Sequence, residues 1–300
     1  MTGSILIVGG GSDIASKLSK KLLERGFNVT LLVRNPDNLD QDISSKASVV
    51  VGDALSSSDL TSAIETAAAQ GDGSILGMAH LVGSILIRPP HAVKQEAFEE
   101  VIQTNLVSAF LALSLTCKSM LRTGGGRVVF TSSVAASLGL VNHEAIAAAK
   151  GGIESMVRSA AATYAQRKIR VNAVAPGLTD TKLSGNITKS EALLEAAVSM
   201  IPMKRINEPD EIAEAIKNEF GFNRKLCLGI VNDIIDIIIE GLESDRKVKI
   251  HNFGTFKLNN KRSRIGRNPK TKEEFNISSR NVITFKASKV LLKNINNIND

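Results

Sequence analysis

A chain of 300 residues with 43% hydrophobic and 22% charged residues holds enough apolar material for one large core or two ordinary ones, which excludes general disorder. No apolar run approaches the roughly 20 residues that span a bilayer, and the opening run Ile5-Leu6-Ile7-Val8 is too short for a signal peptide, so a cytoplasmic protein with no membrane partner is expected. The net charge of +7 is unevenly placed: residues 1–206 carry 20 Lys/Arg against 17 Asp/Glu, whereas Arg246 to Lys293 holds 14 basic residues and only Glu273 and Glu274 as acids, a balance suited to a phosphate-rich partner.

In chain order, residues 4–8 read as a strand, Gly9-Gly10-Gly11-Ser12 as a turn, and 13–25 as a helix that Gly26 stops. Strands are predicted at 29–33, 48–51, 75–81, 127–132 and 169–174, with long helices at 98–120 and 144–166. Strands alternating with helices imply βαβ units, hence an α/β fold with a doubly wound parallel sheet. After residue 206 alanine is confined to Ala213, Ala215 and Ala287, while Asn, Ile and Lys become common. The change falls inside the amphipathic segment from Glu208 to Ile216, with no Gly/Ser-rich or Pro-rich linker. Two domains are therefore expected, 1–207 and 208–300.

The second domain begins with a helix over 210–220, closed by Gly221. A longer helix over 224–242 follows, N-capped by Asn223, with Ile230, Ile234, Ile237 and Ile238 on its apolar face. One strand is predicted over 247–256 and a basic continuation over 257–264. Arg267-Asn268-Pro269 makes a turn, a returning strand ends in 282–285, and 288–295 closes as a helix. Cys117 and Cys227 stand far apart without metal-ligand neighbours, so neither a disulfide framework nor a metal centre is expected.

A glycine turn between strand and helix lets helix N-terminal N–H groups meet a pyrophosphate. Gly9, Gly11, Ser12 and Ile14 stand where such contacts are made, while Asp13 adds a carboxylate that can cap the same N–H groups and repels phosphate. With Gly9, Asp53, Gly83, Asn105, Ser133, Lys150 and the run Arg170-Val171-Asn172-Ala173-Val174-Ala175-Pro176-Gly177 in order, residues 3–216 resemble the short-chain dehydrogenase/reductase family. The resemblance implies a Rossmann-like fold and an adenine contact from Asp53. It also implies cofactor contacts from Lys150, Pro176 and Gly177, and catalytic roles for Asn105, Ser133 and Lys150. Val33-Arg34 ends the second strand with no carboxylate for a ribose hydroxyl, and Arg34 can hold a 2′-phosphate, so NADP(H) is expected over NAD(H).

The departures are specific. Asp13 and Ala15 replace the later glycines of the family's TGxxxGxG turn, and His80-Leu81-Val82-Gly83 stands for NNAG. Ile146 stands where YxxxK has its proton-donating tyrosine; Tyr164, the only tyrosine, lies too far down the same helix to substitute. His143 is either a replacement acid or a polar residue at the helix entrance. No counterpart of the family's last parallel strand follows Pro209-Asp210-Glu211-Ile212-Ala213, which predicts an open sheet edge. An impaired reductase is expected; an active NADP-dependent reductase on a carbonyl or alcohol substrate is the alternative.

The motifs Asn252-Phe253-Gly254-Thr255-Phe256, Gly266-Arg267-Asn268-Pro269-Lys270-Thr271 and Thr284-Phe285-Lys286-Ala287 make the second domain resemble the HU/IHF bacterial histone-like proteins. That resemblance implies a small α+β unit with a β-ribbon arm that binds double-stranded DNA in the nucleoid. It also implies a homodimer sharing Phe253, Phe256 and Phe285 in its core. An arm carrying Lys261, Arg262, Arg264, Arg267, Lys270 and Lys272 can follow the minor groove and neutralise phosphates. At the tip beside Asn268, Pro269 is rigid, apolar and without an N–H, fit to wedge between base steps. The kink then brings flanking DNA to Arg280, Lys286 and Lys289. DNA binding and bending with little sequence specificity is the expected function. A first domain that tunes DNA binding as a nucleotide sensor is a third reading.

Overall fold

The computed structural model describes residues 3–221, 224–267 and 269–296. The chain divides into two compact units, Met1–Leu226 and Cys227–Asp300.

In the first unit six parallel strands form one sheet: β1 (Ser4–Val8), β2 (Asn28–Val33), β3 (Ser48–Val51), β4 (Gly77–His80), β5 (Gly126–Thr131) and β6 (Ile169–Val174), in the order β3-β2-β1-β4-β5-β6. Successive side chains of a strand point to opposite faces, so an all-apolar strand feeds two cores. Leu6 and Val8 of β1 join one core with Leu60, Ala112 and Ile153, while Ile5 and Ile7 join the other with Leu18, Ile216 and Phe220. The helices that cover these faces are α1 (Asp13–Glu24), the short α2 (Gln41–Ser44), α3 (Ser57–Gln70), α4 (Gln95–Ile102), α5 (Ser108–Thr123) and α6 (Glu144–Tyr164). After β6 come α7 (Gly185–Thr188), α8 (Glu191–Met200) and α9 (Pro209–Phe220).

Two features of this unit modify the sequence expectation. The helix predicted over 98–120 starts earlier and is interrupted at Gln103–Val107 by a π-helical turn between α4 and α5. By length and composition the whole stretch Gln95–Thr123 could cross a membrane. Its residues Val101, Ala109, Ala112, Cys117 and Met120 are instead buried in this fold. Among the described residues no further strand pairs with β6, which forms the open edge of the sheet that the sequence predicts.

Helix α9 starts at a capping box of Glu208 and Glu211 with Pro209 in the first turn. It buries Ile212, Ala213, Ile216 and Phe220 against α1 and the sheet. A Cβ on Gly77 would stand 2.5 Å from the Phe220 ring, so the strand is glycine where that ring lands. Lys21 reaches Asp210 at 3.0 Å and Glu214 at 3.3 Å, Arg127 donates to the Phe220 carbonyl, and Asn172 donates to Glu219.

The second unit holds most of α10 (Arg224–Asp245), with β7 (Lys247–Ile250), β8 (Gly254–Lys261), β9 (Arg264–Arg267), β10 (Glu274–Ile277), β11 (Arg280–Ala287) and α11 (Lys289–Ile295). Strands β11-β8-β7 make an antiparallel sheet and β10-β9 a separate two-stranded ribbon. The single strand predicted over 247–256 is a hairpin: Asn252 adopts φ 56°, a left-handed turn that asparagine tolerates, and β8 returns on β7. Gly254 follows because a Cβ there would lie 2.5 Å from the Phe285 ring. Ser288 accepts from Leu291 N at 3.0 Å and caps α11. Asn223, Asn268 and the side chain of Ile230 lie outside the described residues.

Candidate functional site

In an open parallel sheet the ligand crevice lies at the carboxyl ends of the strands, where the winding direction reverses. Here that point is between β1 and β4. Gly9 leaves β1 at φ 88°, and a Cβ on it would sit 2.9 Å from the backbone of Leu81 and Val82, so only glycine makes this turn. Gly11 faces open space. Ser12 caps α1 by accepting from Ala15 N at 3.1 Å, and Ile14 packs against the core beneath. Asp13 points across the crevice to the loop after β6 and accepts from Lys182 N at 2.7 Å.

Further along, Arg34 is exposed just beyond β2. Asp53, exposed after β3, accepts from Leu55 N at 2.8 Å while its own N–H donates to Asp59. Pro176 accepts from Val134 N at 3.0 Å and Gly177 from the Thr179 hydroxyl at 3.0 Å, which fixes the turn after β6 beside the end of β5.

Asn105 occupies the π-turn, where the helix carbonyls are displaced from their usual partners. Its buried amide donates to Val101 O at 2.9 Å and to Ser84 Oγ at 3.0 Å, and its oxygen accepts from Ser84 N at 3.2 Å. Lys150 Nζ donates to Thr131 O at 2.8 Å, and burial pulls its pKa down to about 8. A Cβ on Gly83 would lie 3.1 Å from Asn105 Oδ1 and 3.5 Å from Lys150 Nζ. The glycine of the altered NNAG thus keeps these two polar groups close to one point. Ser133 accepts from Ala135 N at 3.2 Å.

Ile146, 4% exposed, joins Val101, Ala135, Ala145 and Ala149 in an apolar cluster. Position 146 is therefore a hydrocarbon side chain buried in an apolar cluster. His143 begins α6 with its Nδ1 hydrogen-bonded to Val141 O at 2.7 Å. Two features escaped the sequence reading. Ser132, the neighbour of Ser133, donates to Glu154 at 2.9 Å. His80 is fully buried, with Nε2 3.1 Å from Ser108 Oγ and its ring 5.8 Å from that of Phe130. A strand-end histidine between apolar residues was the available signal for its burial.

Burial, reinforced by the charge on Lys150, pushes His80 down to about 3 from 6.5. A histidine depressed in the fold stays neutral while its unfolded counterpart takes up a proton, so stability falls as pH drops below about 6.5. Urea unfolding at pH 7 and pH 5 checks this. The wild-type first unit is expected to lose about 2 kcal/mol more than the His80→Asn variant. Equal losses would show that His80 does not govern acid sensitivity.

In the second unit, β9 and β10 pair Arg267 with Glu274 and Ile265 with Asn276. The Arg267 guanidinium lies 3.0 Å from the Glu274 carboxylate. Arg264, Pro269, Lys270 and Lys272 are exposed along the ribbon and its turn, and Lys261 and Arg262 are exposed at its base. Lys261 stands directly opposite Arg280, and Lys247 opposite Lys257. Like charges on facing strand positions destabilise a sheet, and a bound polyanion relieves them. Lys286 and Lys289 continue the exposed basic surface onto the end of β11 and the start of α11. Phe253, Phe256 and Phe285 cluster with ring centroids 5.3 and 4.8 Å apart.

The family model described as enoyl-(acyl carrier protein) reductase matches residues 8–217, and that described as bacterial DNA-binding protein matches residues 208–296. The 2-(S)-hydroxypropyl-CoM dehydrogenase 3 of Xanthobacter autotrophicus is 30% identical over 227 residues, 71% of this chain and 87% of that protein. A short-chain type dehydrogenase/reductase from Mycobacterium ulcerans, 26% identical, superposes with a TM-score of 0.68 over 74% of this chain and 85% of its own. ElxO, solved with NADP bound, gives a TM-score of 0.68 over 74% of this chain and 92% of its own; at 21% identity this is a likeness of fold.

Proposed function

Because the chain belongs through residues 8–217 to the short-chain dehydrogenase/reductase family, and carries a bacterial HU-type DNA-binding domain over residues 208–296, we propose that it binds and bends double-stranded DNA with little sequence preference while its first unit holds NADP(H) but is impaired as a reductase. The observation that carries the DNA reading is the exposed ribbon of Arg264, Arg267, Lys270 and Lys272 with like-charged pairs at and beyond its base. A basic ribbon tracks the minor groove, and a rigid apolar tip residue opens a base step to bend the duplex. Phe253 and Phe285 are 45% and 44% exposed, and Ile234 and Ile237 of α10 are exposed as well. Apolar surface of this kind supports a homodimer in which a second copy covers it.

The residues of the first unit fit a nicotinamide dinucleotide in outline. The Gly9 turn admits a backbone approach, Arg34 stands exposed just beyond β2, and Lys150 with Asn105 offers polar groups beside Gly83. When bound, the cofactor supplies a hydride. Lys150 would hold its ribose, and Ser133 would donate to a carbonyl oxygen. Ile146 has no proton for the resulting alkoxide, which supports impairment. The retained Asn105, Ser133 and Lys150 favour an active reductase as the second reading.

Bending is tested with the full chain on a duplex carrying a fluorophore at each end. Energy transfer is expected to rise on binding, and Pro269→Ala is expected to lower that rise severalfold while changing affinity far less. Parallel loss of transfer and affinity would remove the wedge, and no binding at low salt would remove the DNA reading.

A further inference from the structure

The start of α1 carries the positive end of the helix dipole, in the crevice where a dinucleotide's pyrophosphate is received. In this chain an anion is already built in there. Asp13, the first residue of α1, turns its carboxylate to the loop after β6: Lys182 N–H donates to Oδ2 at 2.7 Å, and Lys182 Nζ stands 3.8 Å from Oδ1. The partners are 169 residues apart, so this contact ties the glycine turn to the far side of the crevice. The loop end of the tie is itself fixed. Asp180 N donates to Asn207 O at 2.9 Å, and Thr181 and Ser184 cap each other reciprocally.

We propose that Asp13 is an internal competitor of the cofactor's pyrophosphate, and that a dinucleotide enters only when the Asp13–Lys182 pair opens. The inference rests on the NADP(H) reading above. Two physical effects act in the same direction. The Lys182 N–H engaged by the carboxylate is unavailable to a phosphate oxygen. The carboxylate also sits at the helix start that would stabilise the phosphate charge, and two anions there repel. A ligand that binds only an open minority state has its affinity reduced by the fraction open. Ser12 occupies Ala15 N separately, so its cap is independent of the latch.

The test is a titration of the full-length wild type, Asp13→Asn and Asp13→Gly with NADPH, followed by nicotinamide fluorescence. Amide hydrogen exchange at Lys182 is measured without cofactor as a second readout. Asp13→Gly is expected to bind NADPH roughly 10- to 100-fold more tightly, the worth of a charge-assisted hydrogen bond. Asp13→Asn falls between, because an amide oxygen still accepts from Lys182 N but carries no charge. The Lys182 amide is expected to exchange faster in Asp13→Gly. Equal, measurable affinity in all three proteins would overturn the latch and leave the cofactor reading standing. Absence of NADPH binding in all three would overturn both. Should Asp13→Gly fail to fold, Asp13→Asn decides by the same criterion.

Discussion

Replacing Ile146 with tyrosine is expected to raise NADPH-dependent carbonyl reduction by about 10²–10⁴, the usual worth of a positioned general acid. Residues 146 and 150 are four apart on α6 and so share a helix face. Lys150 is buried with its pKa pulled to about 8, so it is largely protonated at neutral pH and would favour ionisation of a nearby phenol. Asn105 and Ser133 are already held, by Ser84 and Val101 and by Ala135 respectively. On the proposed reading, what the tyrosine would add is the proton. The larger ring must enter a cluster in which Ile146 is already buried, and overpacking of this kind costs about 1–3 kcal/mol. Activity and thermal stability should therefore move in opposite directions. NADPH oxidation against a panel of ketones, beside a melting curve, reads both. Unchanged turnover with NADPH binding intact would show that proton donation is not what limits this unit.

Affinity of the full chain for a duplex is expected to fall by about 10³–10⁵ between 50 and 200 mM salt, the range for six to ten phosphate contacts. Lys261 facing Arg280 and Lys247 facing Lys257 repel in the free protein, so phosphate both gains a contact and relieves a strained pair. Arg267 is already neutralised by Glu274 at 3.0 Å. Glu274→Gln should free Arg267 and steepen the slope of log affinity against log salt by about one. Fluorescence anisotropy at four salt concentrations measures both slopes. A flat dependence in the wild type would mean that the ribbon does not contact phosphate.

The strands of the first unit were legible because β1, β2 and β5 carry apolar runs buried on both faces, while the edge strand β6 alternates buried Ile169 and Val171 with exposed Arg170. The ribbon was legible from the turn chemistry around Pro269 and the density of cations. Periodicity failed where one residue's backbone conformation decides the outcome. Val248 and Ile250 alternate with Lys247, Lys249 and His251 and suggest one strand carried on to Phe256, but Asn252 turns left-handed and makes a hairpin. The π-turn at Asn105 leaves the spacing of apolar residues nearly helical and is invisible for the same reason. Asn105, Ser133 and Lys150 are proposed from motifs alone, whereas the link from Asp13 to Lys182 exists only once β1 and β6 belong to one sheet.

Residues 208–217 fall within both family matches, yet α9 has a single apolar stripe. An α-helix carries its phase forward at 3.6 residues per turn, so a chain can pass from one ancestry to another inside a helix without disturbing the hydrophobic register. The register is then readable by two folds, but the stripe can be buried only once. Here Ile212, Ala213, Ile216 and Phe220 are committed to the dinucleotide-type core. The match to the DNA-binding family begins at residue 208, so its opening helix serves its neighbour instead, while α10 keeps Ile234 and Ile237 in solvent. A junction that is seamless in sequence is therefore an either/or in three dimensions.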